Sequence, residues 1–324
     1  MKIFHNLSSV EIDGESCLAL GVFDGVHVGH QRLLKRVVDV SRSRGLTSLA
    51  LTFNPHPEAV LSPKGGPLLL TNTEEKLALF KELGLKVAVV APFDKHLANM
   101  SAQDFVDKIL LNKLHANYII AGPEATFGKG ASGNAALLRD LGDEIGFHVE
   151  VMDDVVQDGL VVSSTAIRKA IAASNLEQAA KMLGRPYKIS GTVIHGEGRG
   201  AELGFPTANM VPPAGKATPP DGVYACVAMV ADNAPQLNWK MLNDPEAHVA
   251  VVYIGSRPTF GGGQRLIEVH ICDEDLTLYG KELEVFFLSR LRGDMTFSGP
   301  EELVTQMVED ARQAFEIVGE YYSR

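Results

Sequence analysis

The chain changes its hydrophobic rhythm once, at Gly184-Arg185-Pro186, and that change limits what it can fold into. Before it, short apolar runs alternate with amphipathic stretches of helix length. CLALGVF (17–23), LTSLALTF (46–53), VAVVAPF (87–93), NYIIAG (117–122) and FHVEVMDDVV (147–156) read as strands. HQRLLKRVVDVSRSRG (30–45), TNTEEKLALFKELG (71–84) and SAQDFVDKILLNKLHA (101–116) read as helices, and SSTAIRKAIAAS (163–174) with LEQAAKMLG (176–184) closes the half. Thr71 with Glu74 is the expected capping box of the second helix, Gly84 its stop, and Ser101 the cap of the third. Strands joined by helix-length crossovers form a parallel sheet covered on both faces, and its ligand lies beyond the carboxyl ends of the strands.

After the change, strand signals crowd together. KISGTVIHG (188–196), GVYACVAMVA (222–231), HVAVVYIG (248–255), RLIEVHICD (265–273) and KELEVFFLSRLR (281–292) are separated by Gly/Pro-rich turns. Only SGPEELVTQMVEDARQAFEIV (298–318) looks helical, with Ser298 and Glu301 as capping box and Pro300 in the first turn. Many short strands and one terminal helix predict a small closed antiparallel barrel. The fold class is therefore α/β plus β, divided into domains 1–185 and 186–324.

Two domains suit 324 residues, since a domain takes about 150. Thirty Lys and Arg against 40 Asp and Glu leave a net charge of −10, which argues against a protein that wraps a nucleic-acid backbone. A local cluster of donors can still take a small phosphorylated ligand. Cys17, Cys226 and Cys272 are an odd number without CxxC spacing, which predicts free thiols and a reducing compartment. The opening MKIFHNLSSVEIDGES has no signal-peptide pattern, and runs such as 87–92 are too short to span a membrane. A cytoplasmic chain with neither membrane nor nucleic acid as partner is expected.

The sharpest motif is Gly21-Val22-Phe23-Asp24-Gly25-Val26-His27-Val28-Gly29-His30, where the first strand gives way to the first helix. Glycines let backbone approach a ligand, and a helix N-terminus offers free N–H groups. His27 and His30 lie one turn apart and can donate to one phosphate; taken alone, they also fit a turn with exposed histidines or half a metal site. Ser163, Ser164 and Thr165 ahead of Arg168 form a second phosphate-sized donor cluster, or an ordinary helix cap beside a solvated arginine. Two look-alikes are rejected. Gly122–Lys129 has one residue too many for a P-loop and no Ser/Thr after its lysine. Gly196–Ala201 runs into Leu203-Gly204-Phe205-Pro206, which cannot open a Rossmann helix.

GVFDGVHVGH resembles the HxGH signature of nucleotidyltransferases, in the form carried by bacterial bifunctional riboflavin kinase/FMN adenylyltransferases. TFNPHP (52–57) is similar to that family's second motif and SSTAIR (163–168) to its third. The resemblance implies a Rossmann-like adenylyltransferase domain in which His27, His30 and Arg168 are catalytic. Gly21, Phe23, Asp24, Gly25, Asn54, Ser163, Ser164 and Thr165 would then hold the nucleotide, and His56 the flavin. One departure stands out: where the family carries G-x-D/N-F-x-F-G, this chain has Gly122-Pro123-Glu124-Ala125-Thr126-Phe127-Gly128.

In the second half, GTVIHGEGRGAELGFPTAN (191–209) combines a glycine-rich loop with Thr207 and Asn209, whose oxygens suit a hard cation. In LIEVHIC, alternation puts Ile267, Val269 and Ile271 on one face and Glu268 with His270 on the other. Both segments resemble the riboflavin kinase signature. That implies Glu268 as general base, Gly196, Arg199, Gly204 and Pro206 around ATP, Thr207 and Asn209 on Mg²⁺, and Arg292 with Phe297 at the flavin. Tyr253 in YIGSRPTF stands where the family commonly has Asn; Gly255, Pro258 and Thr259 keep the pattern. The implied chemistry is phosphorylation of riboflavin by ATP to FMN, then adenylylation of FMN to FAD with release of pyrophosphate. The partners are riboflavin, FMN and ATP, with at most weak homo-oligomerisation. Two alternatives are a monofunctional riboflavin kinase, suggested by Glu124-Ala125, and a non-catalytic flavin-binding regulator.

Overall fold

The computed structural model describes residues 1–195, 200, 203–231, 247–256, 265–272, 276 and 278–323. They fall into two compact units, Met1–Ser163 and Ser164–Arg324. The packing division lies two helices before the change in sequence rhythm.

In the first unit the strands are β1 (Lys2–Phe4), β2 (Ser16–Leu20), β3 (Thr47–Asn54), β4 (Val87–Pro92) and β5 (Ala116–Ala121). A small ribbon of β6 (Thr126–Phe127) and β7 (Gly133–Asn134) precedes β8 (His148–Val151), and β9 (Val156–Gln157) pairs with β10 (Leu160–Val161). The main sheet runs β1-β4-β3-β2-β5-β8, with every neighbouring pair parallel. The chain moves outward from β2 to β3 and β4, then returns to the other side of β2 with β5. The switch point is thus between β2 and β5, the place where open parallel sheets take ligands at the carboxyl ends of their strands. Leu18, Leu49, Leu51, Val89 and Ile119 are fully buried between the helical layers. Continuous apolar strands are the signature of that two-sided burial. Edge strand β1 is only three residues long, too short to show in hydrophobic rhythm.

The helices of this unit include α1 (Val28–Arg44), α2 (Pro57–Leu61), α3 (Thr73–Glu82), α4 (Lys95–Ala98), α5 (Ala102–Asp104) and α6 (Ala135–Ile145). Two local expectations are corrected. The box on α3 is Asn72 with Glu75: Asn72 Oδ1 accepts from Glu75 N–H at 2.7 Å, and Glu75 accepts from Asn72 N–H at 2.8 Å. Thr71 cannot cap the helix because its hydroxyl is committed to Asp24 and to Gly25 N–H. The 101–116 stretch starts with Ser101 capping α5 as expected, but residues 105–111 widen into a π-helix. The backbone bonds Asn112 N–H to Asp107 C=O and Leu114 N–H to Ile109 C=O span five residues.

The second unit opens with α7 (Ser164–Ala172) and α8 (Leu176–Leu183). Its strands are β11 (Tyr187–Ile194), β12 (Ala208–Met210), β13 (Gly222–Val230), β14 (His248–Ser256), β15 (Arg265–Ile271) and β16 (Glu282–Arg292). They close into an antiparallel barrel in the order β11-β12-β15-β14-β13-β16. The last helix, α9 (Pro300–Tyr322), sets Val318 against Val227, Phe286 and Leu288 on the outer wall. Each such fully buried side chain contributes about 1.5–3 kcal/mol. Its N-terminus also corrects the sequence reading: Ser298 N–H and hydroxyl both reach Glu302, not Glu301, at 2.7 and 2.6 Å. With Gly299 at the cap position, the reciprocal partner falls one residue later.

Cys17 and Cys226 are buried and Cys272 is half-buried; all three are free. No helix among the described residues is long and apolar enough to cross a membrane.

Candidate active sites

β2 ends at Leu20 and the chain turns sharply through Gly21–Val26 into α1. Phe23 and Val26 have φ of 53° and 39°, so two side-chain-bearing residues sit in left-handed backbone, as does Gly25 at 80°. Such positions cost on the order of 1–3 kcal/mol each and persist only where the surroundings fix them. Phe23 packs edge-on against Phe80 of α3 and His30 of α1, with centroids 5.5 and 5.2 Å away. Asp24 is buried, and its carboxylate accepts the backbone N–H groups of Leu70 (2.9 Å) and Thr71 (3.1 Å). It ties this turn to the segment that leads into α3.

His27 is the N-cap of α1, its Nδ1 accepting from His30 N–H at 3.3 Å. That bond leaves the imidazole proton on Nε2. The rings of His27 and His30 stack at 3.6 Å and 19°. A side chain at Gly29 would press on the His27 ring at 3.2 Å, which accounts for the glycine inside HVGH. Burial, the neighbouring His27 and the cation of Lys76 hold the His30 imidazole well below its ordinary range. Its Nδ1 is buried without a hydrogen-bond partner. Two imidazole rings at a helix N-terminus, with backbone donors beside them, form an arrangement suited to phosphate oxygens.

Asn54 ends β3 and precedes a cis peptide to Pro55; His56 caps α2, accepting from Glu58 N–H at 3.2 Å. Glu124 is exposed in a turn just past β5, closed by Ala125 N–H to Gly122 C=O at 3.2 Å. Ser163 ends the first unit, while Ser164, Thr165 and Arg168 occupy the first turns of α7 in the second. A groove of about 720 Å³ follows α1 from Val28 and Gln31 towards Met152 and Asp153. Arg36 on its wall is already committed to Glu150, with Nε to Oε1 at 2.8 Å.

In the barrel, register brings three residues side by side on adjacent strands. Asn209 on β12 lies directly opposite Glu268 on β15, and Glu268 opposite Tyr253 on β14. Asn209 is 4% exposed, and its Oδ1 has no hydrogen-bond partner. Thr207 precedes it at the mouth of β12. A buried amide oxygen left open beside a hydroxyl and a carboxylate is a hard-oxygen donor set, and it fits a small divalent cation. Gly204 and Pro206 are exposed on the approach to β12, where the Pro206 carbonyl lies 2.9 Å from His270 Nδ1. Gly196 and Arg199, like Pro258 and Thr259, lie outside the described residues.

Arg292 and Phe297 come together, the guanidinium 5.7 Å above the ring. Arg292 also forks onto Asp310 of α9, Nη2 to Oδ2 at 2.8 Å and Nε to Oδ1 at 3.1 Å, and Asp310 is nearly fully buried. Tyr253 has its hydroxyl pushed up by burial and by Asp294, with which it hydrogen-bonds.

Sequence reasoning missed Lys76. It lies one turn before Phe80 on the apolar face of α3 and is 6% exposed. Its Nζ donates to the Val22 carbonyl at 2.8 Å, in the turn that leads into α1. The available signal was a lysine on the helix stripe that also carries Leu79 and Phe80.

Comparison with known proteins finds two families on this chain. The model of the FAD synthetase family matches residues 9–166 and that of the riboflavin kinase family residues 183–318. The bifunctional riboflavin kinase/FMN adenylyltransferase of Escherichia coli K12 is 34% identical over 315 residues, covering 97% of this chain and 96% of that protein. The protein of the same name from Listeria monocytogenes is 36% identical over 300 residues, covering 92% and 91%. A solved Streptococcus pneumoniae structure, described as a macrolide-efflux protein, superposes with a TM-score of 0.84 at 30% identity, covering 96% of this chain and 97% of the other.

Proposed function

This chain belongs to the bifunctional riboflavin kinase/FMN adenylyltransferase family, and on that premise we propose how its residues divide the two ATP-dependent reactions. Riboflavin is phosphorylated to FMN, and FMN is adenylylated to FAD with release of pyrophosphate. With both catalytic families matched on one chain, a monofunctional kinase is not favoured.

The pairing of Asn209 with Glu268 carries the kinase assignment. Glu268 accepts the proton of the terminal ribityl hydroxyl as that oxygen attacks the γ-phosphorus of ATP, and ADP leaves. Thr207 and the open Oδ1 of Asn209 would hold Mg²⁺. When bound, that ion neutralises charge on the phosphates. Arg292, pinned by Asp310, and Phe297 orient the flavin; the family resemblance assigns Gly196, Arg199, Gly204 and Pro206 to ATP. The catalytic boundary is assigned at 185/186, where the barrel begins.

The adenylyl step needs no strong base, because the attacking FMN phosphate is already an anion. It attacks the α-phosphorus of ATP and pyrophosphate departs. His27 and His30 donate to the phosphates, Arg168, Ser163, Ser164 and Thr165 add donors, and Gly21, Phe23, Gly25 and Asn54 shape the nucleotide site. Asp24 serves by fixing the loop, and His56 faces the flavin side. Catalysis is positioning and charge stabilisation. A cytoplasmic location and at most weak self-association complete the reading.

The test is to supply riboflavin with MgATP, or FMN with MgATP, and separate the flavins by chromatography. Glu268→Ala should abolish FMN formation and still turn supplied FMN into FAD. His30→Ala should do the reverse, losing at least about 100-fold in FAD formation. Loss of both activities in either variant, or unchanged FAD output from His30→Ala, would refute these assignments.

A further inference from the structure

We propose that Lys76 is a positioning residue of the adenylyl-transfer site: its buried ammonium binds the Val22 carbonyl together with Thr52 and so fixes the turn after β2 that leads into His27 and His30. The proposal rests on the assignment of His27 and His30 to that site.

The geometry is a closed triangle. Lys76 Nζ reaches Val22 O at 2.8 Å and Thr52 Oγ1 at 3.3 Å, and Thr52 Oγ1 donates to the same Val22 carbonyl at 2.9 Å. Thr52 is fully buried on β3. The carbonyl it shares belongs to the residue just before left-handed Phe23, so Lys76 fixes the entry to the strained turn while Phe80, one turn later on α3, fixes its ring. A lysine is an expensive way to satisfy a carbonyl, since an unpaired buried charge costs far more than the hydrogen bond returns. Thr52 alone could serve Val22. What Lys76 adds beyond Thr52 is a charge.

Among the described residues, the charges that act on this ammonium or its surroundings are these. Asp24, on the loop after β2, attracts it; His30 on α1 feels it as a repulsion, and His27 adds to that repulsion. Glu75, its neighbour on α3, is turned to the Asn72 N–H. Burial draws Lys76 down to about 8, with Asp24 opposing. Around neutral pH a charged Lys76 thus stands near an uncharged His30. Protonating either ring would place like charges next to each other and next to Lys76.

Two variants separate charge from shape. Lys76→Gln keeps a donor for Val22 without the charge; Lys76→Met removes both. The assay is FAD formation from FMN and MgATP, read as kcat and kcat/KM from about pH 6 to about pH 10, with FMN formation from riboflavin in the same samples as an internal control. Lys76→Gln should lower kcat for FAD formation about 10-fold, with KM for FMN and ATP within about threefold, and Lys76→Met about 100-fold. In both, the fall in kcat/KM above about pH 8 should vanish, and the acidic limb should move up because His30 has lost a neighbouring cation. FMN formation should be unchanged. A Lys76→Gln profile that superimposes on wild type overturns the proposal. So does loss of hydrogen-exchange protection across β2 and β3 in both variants, which would make Lys76 a folding residue only. His30→Ala tells the two readings apart. If it forms FAD normally the site assignment fails; if it does not, and Lys76→Gln keeps the wild-type profile, only the role of Lys76 fails.

Discussion

On the outer wall of the barrel, Lys188 of β11 forms an ion pair with Glu284 of β16, at 5% and 7% side-chain exposure. Lys188 Nζ also stands 5.8 Å above the ring of Phe286. Both charges have left water, so attraction and desolvation nearly cancel while the pair is intact, and removing one partner leaves the full cost of the other. Glu284→Leu or Lys188→Met should each destabilise the barrel by about 3–5 kcal/mol. The double variant should return to within about 1 kcal/mol of wild type or exceed it, because two apolar side chains of similar volume then fill the same space. Native-state hydrogen exchange of peptides from β11 and β16 reads the barrel, with β2 and β3 as internal control. A 3 kcal/mol loss would appear there as roughly a 100-fold drop in protection and not in the parallel sheet. Single variants within about 0.5 kcal/mol of wild type, or a double variant equal to the sum of the singles, would refute the buried coupling.

Lys76 gives a pH-dependent stability of definite sign. Its folded pKa, about 8, lies below the 10.5 of an exposed lysine, so the cost of its burial is fully present below pH 8 and is relieved as pH rises above that value. The stability gap between Lys76→Met and wild type should change by on the order of 2 kcal/mol from pH 7 to pH 9.5, in favour of wild type at the higher pH. Urea titrations at both values, followed through exchange in β2 and β3, check it; no pH dependence of the gap would contradict a charged Lys76. In the barrel, Arg292→Lys exchanges a two-pronged grip on buried Asp310 for a single contact. It should raise KM for riboflavin about 10-fold while FAD formation from supplied FMN stays as it was; an unchanged KM would remove Arg292 from flavin positioning.

The two-part plan was legible in the sequence because each half obeys one period throughout. Apolar runs of five to eight residues, such as 46–53, have one reading when helix-length segments separate them, and the alternating run 265–271 has another. The strand-to-helix position of GVFDGVHVGH was equally plain, since Gly25 and Gly29 sit where backbone must bend or approach. Ser101 capped its helix as expected, but the caps at 71–75 and 298–302 moved by one residue. Capping is decided by which side chain is free, and Thr71 was already bound to Asp24 and Gly25.

What the sequence could not show were the pairings between distant segments. Asn209 and Glu268 are 59 positions apart and meet only because β12 and β15 pair in that register. Lys76 reads as an ordinary helix lysine until α3 packs against the turn after β2 and buries it on the Val22 carbonyl. Arg292 similarly acquires Asp310 only when α9 folds back across the barrel. Local sequence determined most of the strands and helices, the α/β-then-β plan and the glycine-rich turn after β2, because these depend on periodicity and on backbone freedom within a few residues. The tertiary structure alone decided which charges are buried, which carbonyl each cation serves and which polar oxygen is left open, because those depend on what long-range packing takes away from water.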